Sequence, residues 1–497
     1  MRNFAKQLTL VAAAAFATGM LPAGAHAQDA NHPFLSPMFS SNMVLQRGIK
    51  DPVWGWTTPG SSVTVTIGGK TATVKAEADG KWEAKVGPLP VGGPYTLSVK
   101  GSETVSLDNI LVGDVWICSG QSNMEMGIKN CNNADQEVAN ANFPNIRLFT
   151  VQKKIALTPQ TVCNGKWDVC TPETVGAGGW GGFSAAGYFF GRTLYEKTHV
   201  PIGLIHTSWG GTIAEAWTSP EALNALPDFV QRVSDVQARA KDPGQVANPG
   251  NNPNVSTVLY NGMIAPVVPF GIKGAIWYQG ESNAGRAYQY RSLLPTMIKD
   301  WRARFGVGDF PFYIVQLANF TATKPEPDES DWAELREAQL FTALNTPKTW
   351  LAVITDIGDD KDIHPKNKQD VGKRLALASL GRDYGVKGEY SSPIYKSMTV
   401  SGNSIVLKFD HTGAGLTTPN GEELKGFAIA GEDKKFVWAT AKIVSNTVVV
   451  TCPAVAKPTA VRYAWAHNPV ANLYNKEGLP ASPFRTDSYP GVTVNNK

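Results

Sequence analysis

Ser122 stands where a strand-like run meets a segment able to open a helix. The run Val115-Trp116-Ile117-Cys118 is apolar, Ser119-Gly120 breaks it, and Ser122-Asn123-Met124-Glu125 follows. Main-chain N–H groups at a helix start have no intrahelical partner and can hold a developing oxyanion, so a hydroxyl there is a candidate nucleophile for acyl transfer. The same serine could also serve only as a helix cap. A nucleophilic hydroxyl needs a base and a group to orient that base. His364 is the candidate base, because Asp359, Asp360 and Asp362 lie within five positions of it. His206 competes, since it follows a strand-like run and precedes Gly210-Gly211, but no acidic residue is close to it in sequence.

Asp362, two residues before His364, is the nearest orienting acid, and a turn or an extended segment lets residues two apart share a side. Asp359 and Asp360 remain open if the loop folds back, while Asp356 is placed to cap or brace a strand end. A third chemical stretch, Trp277-Tyr278-Gln279-Gly280-Glu281-Ser282-Asn283, also follows an apolar run.

These residues need a frame. From about residue 108 the pattern alternates. Strand candidates are Val115–Cys118, Ile202–His206, Ala275–Tyr278, Phe312–Gln316 and Trp350–Thr355; helical candidates are Ala185–Lys197, Tyr288–Phe305, Ala333–Leu344 and Lys366–Leu380. Alternation of this kind predicts a parallel sheet with helices on both faces, and sites in such sheets gather beyond the carboxyl ends of the strands. The segments of Ser122, Gly210-Gly211, Gln279 and His364 all fall there. The Pro-, Gly- and Asn-rich stretch 242–254 reads as a long loop near the site.

Three stretches together, Gly120-Gln121-Ser122-Asn123, Trp277 to Asn283, and Asp356 to Pro365 with its Ile363-His364-Pro365, resemble the blocks of the SGNH hydrolases, specifically the sialate O-acetylesterase family of carbohydrate acetylesterases. Similar stretches run through the chain: Met43–Arg47, Pro52–Trp56, His206–Gly211, Asn367–Gln369, Asn468–Tyr474 and Pro483–Asp487. The resemblance implies an α/β fold with an SGNH-hydrolase, flavodoxin-like parallel sheet. It implies removal of O-acetyl groups from acetylated sialic acid or an acetylated plant polysaccharide such as xylan, with no cofactor and no metal. It also implies oxyanion donors from Ser122 N–H, Gly210 or Gly211 N–H, and the Gln279 side chain. Gln279 stands where SGNH hydrolases usually have an asparagine, and Lys361 occupies the position three before the histidine where many carry the acid. Glu281, Asn123 and Trp209 are candidate substrate contacts, with Glu281 alternatively a buried brace.

Rival chemistries fit less well. An α/β-hydrolase wants a second glycine after the serine, where Met124 stands, and places its acid and histidine far apart. A metal hydrolase built on residues 359–364 would have a single histidine to offer. A non-catalytic carbohydrate-binding protein has no need of the serine, amide and histidine together.

Composition sets the outer bounds. Arg2 and Lys6, an Ala-rich apolar core from Leu8 to about Leu21, and Ala25-His26-Ala27 form a signal-peptide pattern with cleavage expected after Ala27, hence a periplasmic or secreted protein. No later run is long enough to anchor the chain in a membrane. The full chain has 46 basic and 42 acidic residues; loss of Arg2 and Lys6 leaves 44 against 42, which points to no nucleic-acid groove. Residues 28–107 alternate as an N-terminal β-sandwich-like domain, 108–385 form the catalytic domain, and 386–497 return to strands as a C-terminal β-rich domain. Trp54 and Trp56 would either stack on sugar rings or fill a core. Of five cysteines, Cys163 and Cys170 are close enough to suggest a local disulfide, and Cys118 a buried thiol.

Overall fold

The computed structural model describes residues 32–497; the expected signal segment lies outside them. The strands that carry the site are β1 (Thr104–Gly120), β2 (Phe143–Thr150), β3 (Trp167–Cys170), β4 (Ile202–Ser208), β5 (Gly274–Tyr278), β6 (Phe312–Val315) and β7 (Thr349–Ala352). Across the sheet they run β7-β6-β5-β1-β4-β2-β3. All neighbours are parallel except the β2/β3 pair. The helices that bear on the site are α1 (Ser122–Glu125), α2 (Ala185–Thr198), α3 (Ala287–Phe305), α4 (Asp331–Asn345) and α5 (Lys368–Asp383). Helices α2 and α5 pack together on one face, and α3 and α4 on the other. Coverage on both sides explains why β4, β5 and β6 are buried throughout rather than alternating in exposure.

Strand β1 shows the transition within one element. Its first residues alternate in exposure and pair antiparallel with Gly92–Lys100, whereas from Ile110 to Gly120 every residue is buried. The strand therefore crosses the expected boundary near residue 107 and joins the N-terminal hairpins to the central sheet. The hairpin expected at Gly68-Gly69 links Ser62–Ile67 to Lys70–Lys75. Trp54 and Trp56 are buried; Trp54 packs edge-on against Phe39 and Phe270, so both rings fill the core and neither is a sugar platform.

Three local expectations are corrected. Strands β2 and β3 were not anticipated: β2 carries Pro144, Asn145 and Arg147 among its apolar residues, which blurs the pattern. Stretch 242–254 is not all loop, because Asp242 caps a short helix over Pro243–Ala247. All five cysteines are free thiols. Cys163 packs in the core on one side of the sheet with its Sγ against Met38, while Cys170 belongs to the core on the other side, so the sheet separates the pair expected to bond.

The C-terminal strands build a separate small core around Leu407, Phe427, Val450 and Tyr463. This region docks on the central sheet's helical layer through α4: Arg336 donates to the carbonyls of Ala466 and His467, and Arg485 pairs with Glu337. Residues 461–487 thus pack onto the central domain, while Met43–Arg47 is tied instead to β1 by strand pairing and an Arg47–Asp114 ion pair.

Candidate active site

Register decides what meets at the sheet edge. Gly120 is level with Ser208 on β4 and with Tyr278 on β5, so the residues following all three strands emerge together. Gly120 is needed for this approach: its φ is +142° and a Cβ there would sit 2.1 Å from the Tyr278 carbonyl oxygen. Just beyond, Gln121 accepts from the main chain of Gly280 and Ser282 and latches the third stretch to the first. Ser122 is the first residue of α1, whose preceding Gln121 makes no side-chain cap; the hydroxyl is spent on another partner.

That partner is His364. Its Nε2 lies 3.0 Å from Ser122 Oγ. Asp362 Oδ1 lies 3.2 Å from His364 Nδ1 and also accepts the main-chain N–H of His364 at 2.9 Å. With Nδ1–H donated to Asp362, Nε2 is free to accept the serine proton. Burial holds the imidazole below its ordinary pKa; Asp362 opposes that shift and the ammonium of Lys368 adds to it. Asp359 does not reach the ring: its Oδ1 accepts from the main chain of Lys361 and Asp362 and shapes the turn. Asp356 braces the strand end through a two-pronged pair with Arg374.

Asn123 is buried next to Ser122. Its amide donates to Glu281 Oε1 at 2.7 Å and to the Ile363 carbonyl at 3.0 Å, and its oxygen accepts from Lys368 Nζ at 2.6 Å. All of this is internal, which corrects the expectation of Asn123 as a substrate contact; the side chain clamps the helix of Ser122 to the loop of His364. Lys368 is fully buried, with its pKa pushed down to about 7 mainly by burial. Glu281, raised above the usual carboxylate range by burial, joins the same clamp, and its Oε2 has no partner among the described residues.

Two of the expected oxyanion donors have other partners in the structure. Gln279 is buried and donates both amide hydrogens inward, to the Thr212 carbonyl and Asn283 Oδ1, while Tyr290 O–H donates to its oxygen. Gly210 does pass beside Ser122, since a Cβ there would lie 3.3 Å from Ser122 Cβ. Its N–H, however, donates to Glu125 Oε2 at 2.6 Å. Among the described residues the N–H groups of Ser122 and Gly211 have no such acceptor.

Reading the sequence missed several neighbours. Trp180, flanked by Gly178, Gly179, Gly181 and Gly182, stands edge-on to the His364 ring at 4.8 Å. A lone tryptophan in a glycine-rich loop is the signal that marks it. Lys153 pairs with Glu125 Oε1 at 2.6 Å and lies over Trp209, which is half-buried beside the site. His206 does not meet Ser122; its Nε2 contacts Ser208 Oγ at 2.5 Å, and burial holds its pKa down to about 4. Among the described residues no group of His, Cys, Asp and Glu is disposed to hold a metal, and no helix is long and apolar enough to cross a membrane.

Comparison with known proteins gives consistent relatives. The sequence pattern of the family described as "Carbohydrate esterase, sialic acid-specific acetylesterase" matches residues 112–380. The sialate O-acetylesterase of Homo sapiens is 31% identical over 506 residues, covering 92% of this chain and 93% of that one. The sialate O-acetylesterase of Mus musculus is 30% identical over 504 residues, covering 89% and 92%. A crystal structure of a carbohydrate acetylesterase from Xanthomonas citri superposes with a TM-score of 0.82 at 42% identity, covering 92% of this chain and all of that one.

Proposed function

Given that this chain belongs to the sialic acid-specific acetylesterase family of carbohydrate esterases and is a carboxylic ester hydrolase, we propose that it deacetylates carbohydrates by an SGNH-type serine mechanism through an acyl-enzyme. The observation that carries this reading is the 3.0 Å approach of His364 Nε2 to Ser122 Oγ, with Asp362 on the far side of the imidazole.

His364 takes the hydroxyl proton as Ser122 Oγ bonds to the acetyl carbonyl carbon. The carbonyl π electrons move to oxygen, and the oxyanion is held by the N–H groups of Ser122 and Gly211. Collapse breaks the bond to the sugar oxygen, which leaves with the proton from His364. Water then attacks the acetyl-serine, His364 taking its proton, and acetate departs as the proton returns to Ser122. Asp362 fixes the Nδ1–H tautomer and favours the transient imidazolium. The chain acts outside the cytoplasm, after cleavage following Ala27, which N-terminal sequencing of the exported protein checks.

Acetate release from a panel of acetylated sugars and polysaccharides tests the reading. Release from at least one carbohydrate ester is expected. Turnover confined to simple aryl acetates, or none at all, would overturn it.

A further inference from the structure

A cleft of about 240 Å³ opens next to the end of α1; Ser122 and His364 are not part of its lining but border it through Glu125 and Trp180. Its walls include Glu125, Lys153, Trp180, His206 and Ser208. Glu125 is three residues from Ser122 on the same helix turn, and Trp180 touches the His364 ring, so the cleft adjoins both catalytic groups. Trp180 is 40% exposed although its main chain is held in place: its carbonyl accepts from Gly127 N–H and from the Asn130 amide. An indole anchored in this way offers a flat apolar face at little cost in side-chain order.

The polar lining is already balanced in charge. Glu125 and Lys153 neutralise one another at 2.6 Å, and the imidazole of His206, buried on the Ser208 hydroxyl, carries no charge at neutral pH. The paired carboxylate and ammonium keep further lone pairs and hydrogens for hydroxyl groups. His206 is only 7% exposed, and its Nδ1 has no hydrogen-bond partner among the described residues, which leaves one more unspent polar atom at this wall. A carboxylate brought here would meet Glu125 and no unpaired cation; anionic groups are normally received by free arginine or lysine.

Resting on the function proposed above, we infer that this cleft is the subsite for the sugar ring bearing the ester, and that it is built for an uncharged ring. Trp180 is the stacking platform. The Glu125–Lys153 pair and Ser208 receive ring hydroxyls.

The test compares kcat/KM of the intact enzyme on three acetyl esters: an O-acetylated methyl xylopyranoside, an O-acetylated sialic acid and 4-nitrophenyl acetate. The neutral sugar ester is expected to exceed the acidic one by about tenfold or more. Trp180→Ala lowers the ratio of neutral-sugar to aryl-ester kcat/KM by about tenfold, chiefly through KM. Glu125→Gln leaves Lys153 unpaired and raises the ratio of acidic to neutral sugar turnover by about fivefold or more. A wild-type preference for the acidic ester, or ratios unmoved by either substitution, would overturn the inference while leaving the esterase reading intact. Failure on every sugar ester with aryl acetate still cleaved would overturn the reading itself and the inference with it.

Discussion

Asp362 Oδ1 accepts from two nitrogens of one residue, the main-chain N–H of His364 at 2.9 Å and its ring Nδ1 at 3.2 Å. The first bond closes a tight turn that brings the second within reach, so an acid only two positions away can orient the imidazole. Replacement by asparagine keeps an acceptor but removes the charge and permits the wrong tautomer. Loss of the orienting acid costs about four orders of magnitude in a serine protease, where it is buried. Asp362 is half exposed, so the solvent-screened part of the effect is smaller. Asp362→Asn is expected to lower kcat by about two to four orders of magnitude with the circular dichroism spectrum unchanged. Asp359→Asn still offers a carbonyl to the same two N–H groups and should change kcat only a few-fold. Near-normal turnover in Asp362→Asn would leave a Ser122–His364 pair acting alone.

Ser122→Ala removes one half-buried hydroxyl whose only side-chain partner among the described residues is His364. Turnover should fall by at least about four orders of magnitude while the thermal midpoint stays close to wild type. A fluorophosphonate should label the wild type at Ser122, read by peptide mass. Labelling at Ser208 would instead point to the His206 pair.

The pH profile follows from the direction of the His364 shift. Burial and Lys368 lower its pKa, so the neutral imidazole persists to more acidic pH and the acid limb of kcat/KM falls below the ordinary histidine value of 6.5. Lys368, itself titrating near 7, is charged across that limb. Lys368→Met removes a charge that depresses the His364 pKa, so the acid limb should move to higher pH. It also loosens Asn123 and should lower kcat. An acid limb that stays in place would show that Lys368 is not felt at the imidazole.

Gln279 offers a sharp choice between two roles. An oxyanion donor, when removed, costs about two to three orders of magnitude in kcat and little stability. The inward bonds to Thr212, Asn283 and Tyr290 predict the opposite emphasis. Gln279→Leu strands these partners in the interior, at about 1–3 kcal/mol for each one left unsatisfied. A marked drop in melting temperature is expected. A variant with unchanged melting and a hundredfold lower kcat would return Gln279 to the oxyanion.

Denaturation followed by alkylation without reductant should add five alkyl groups, one for each cysteine. Burial raises the thiols of Cys163 and Cys170 to about 12, so they should resist alkylation in the native protein. A mass two groups short would restore the local disulfide.

What the sequence determined by itself was local. Alternation of strand and helix from residue 108, the strand-ending Gly120, and the acid-rich turn before His364 are written in neighbouring residues, because period and turn chemistry act over a few positions. That Ser122 and His364 were candidates could be read there as well. Their meeting across 242 residues was decided by strand register carried from β1 through β5 and β6 to β7, which brings the ends of these strands level. Only the tertiary structure settled how polar groups are spent, since a buried amide or N–H takes whichever acceptor long-range packing delivers. Gln279 looked free in sequence, yet it is occupied by Thr212 and Asn283; Gly210 is likewise occupied by Glu125. Cys163 and Cys170 are seven positions apart, but a sheet stands between them. Trp180, Lys153 and Lys368 reach the site from separate parts of the chain, and their places there follow from packing that no local pattern encodes.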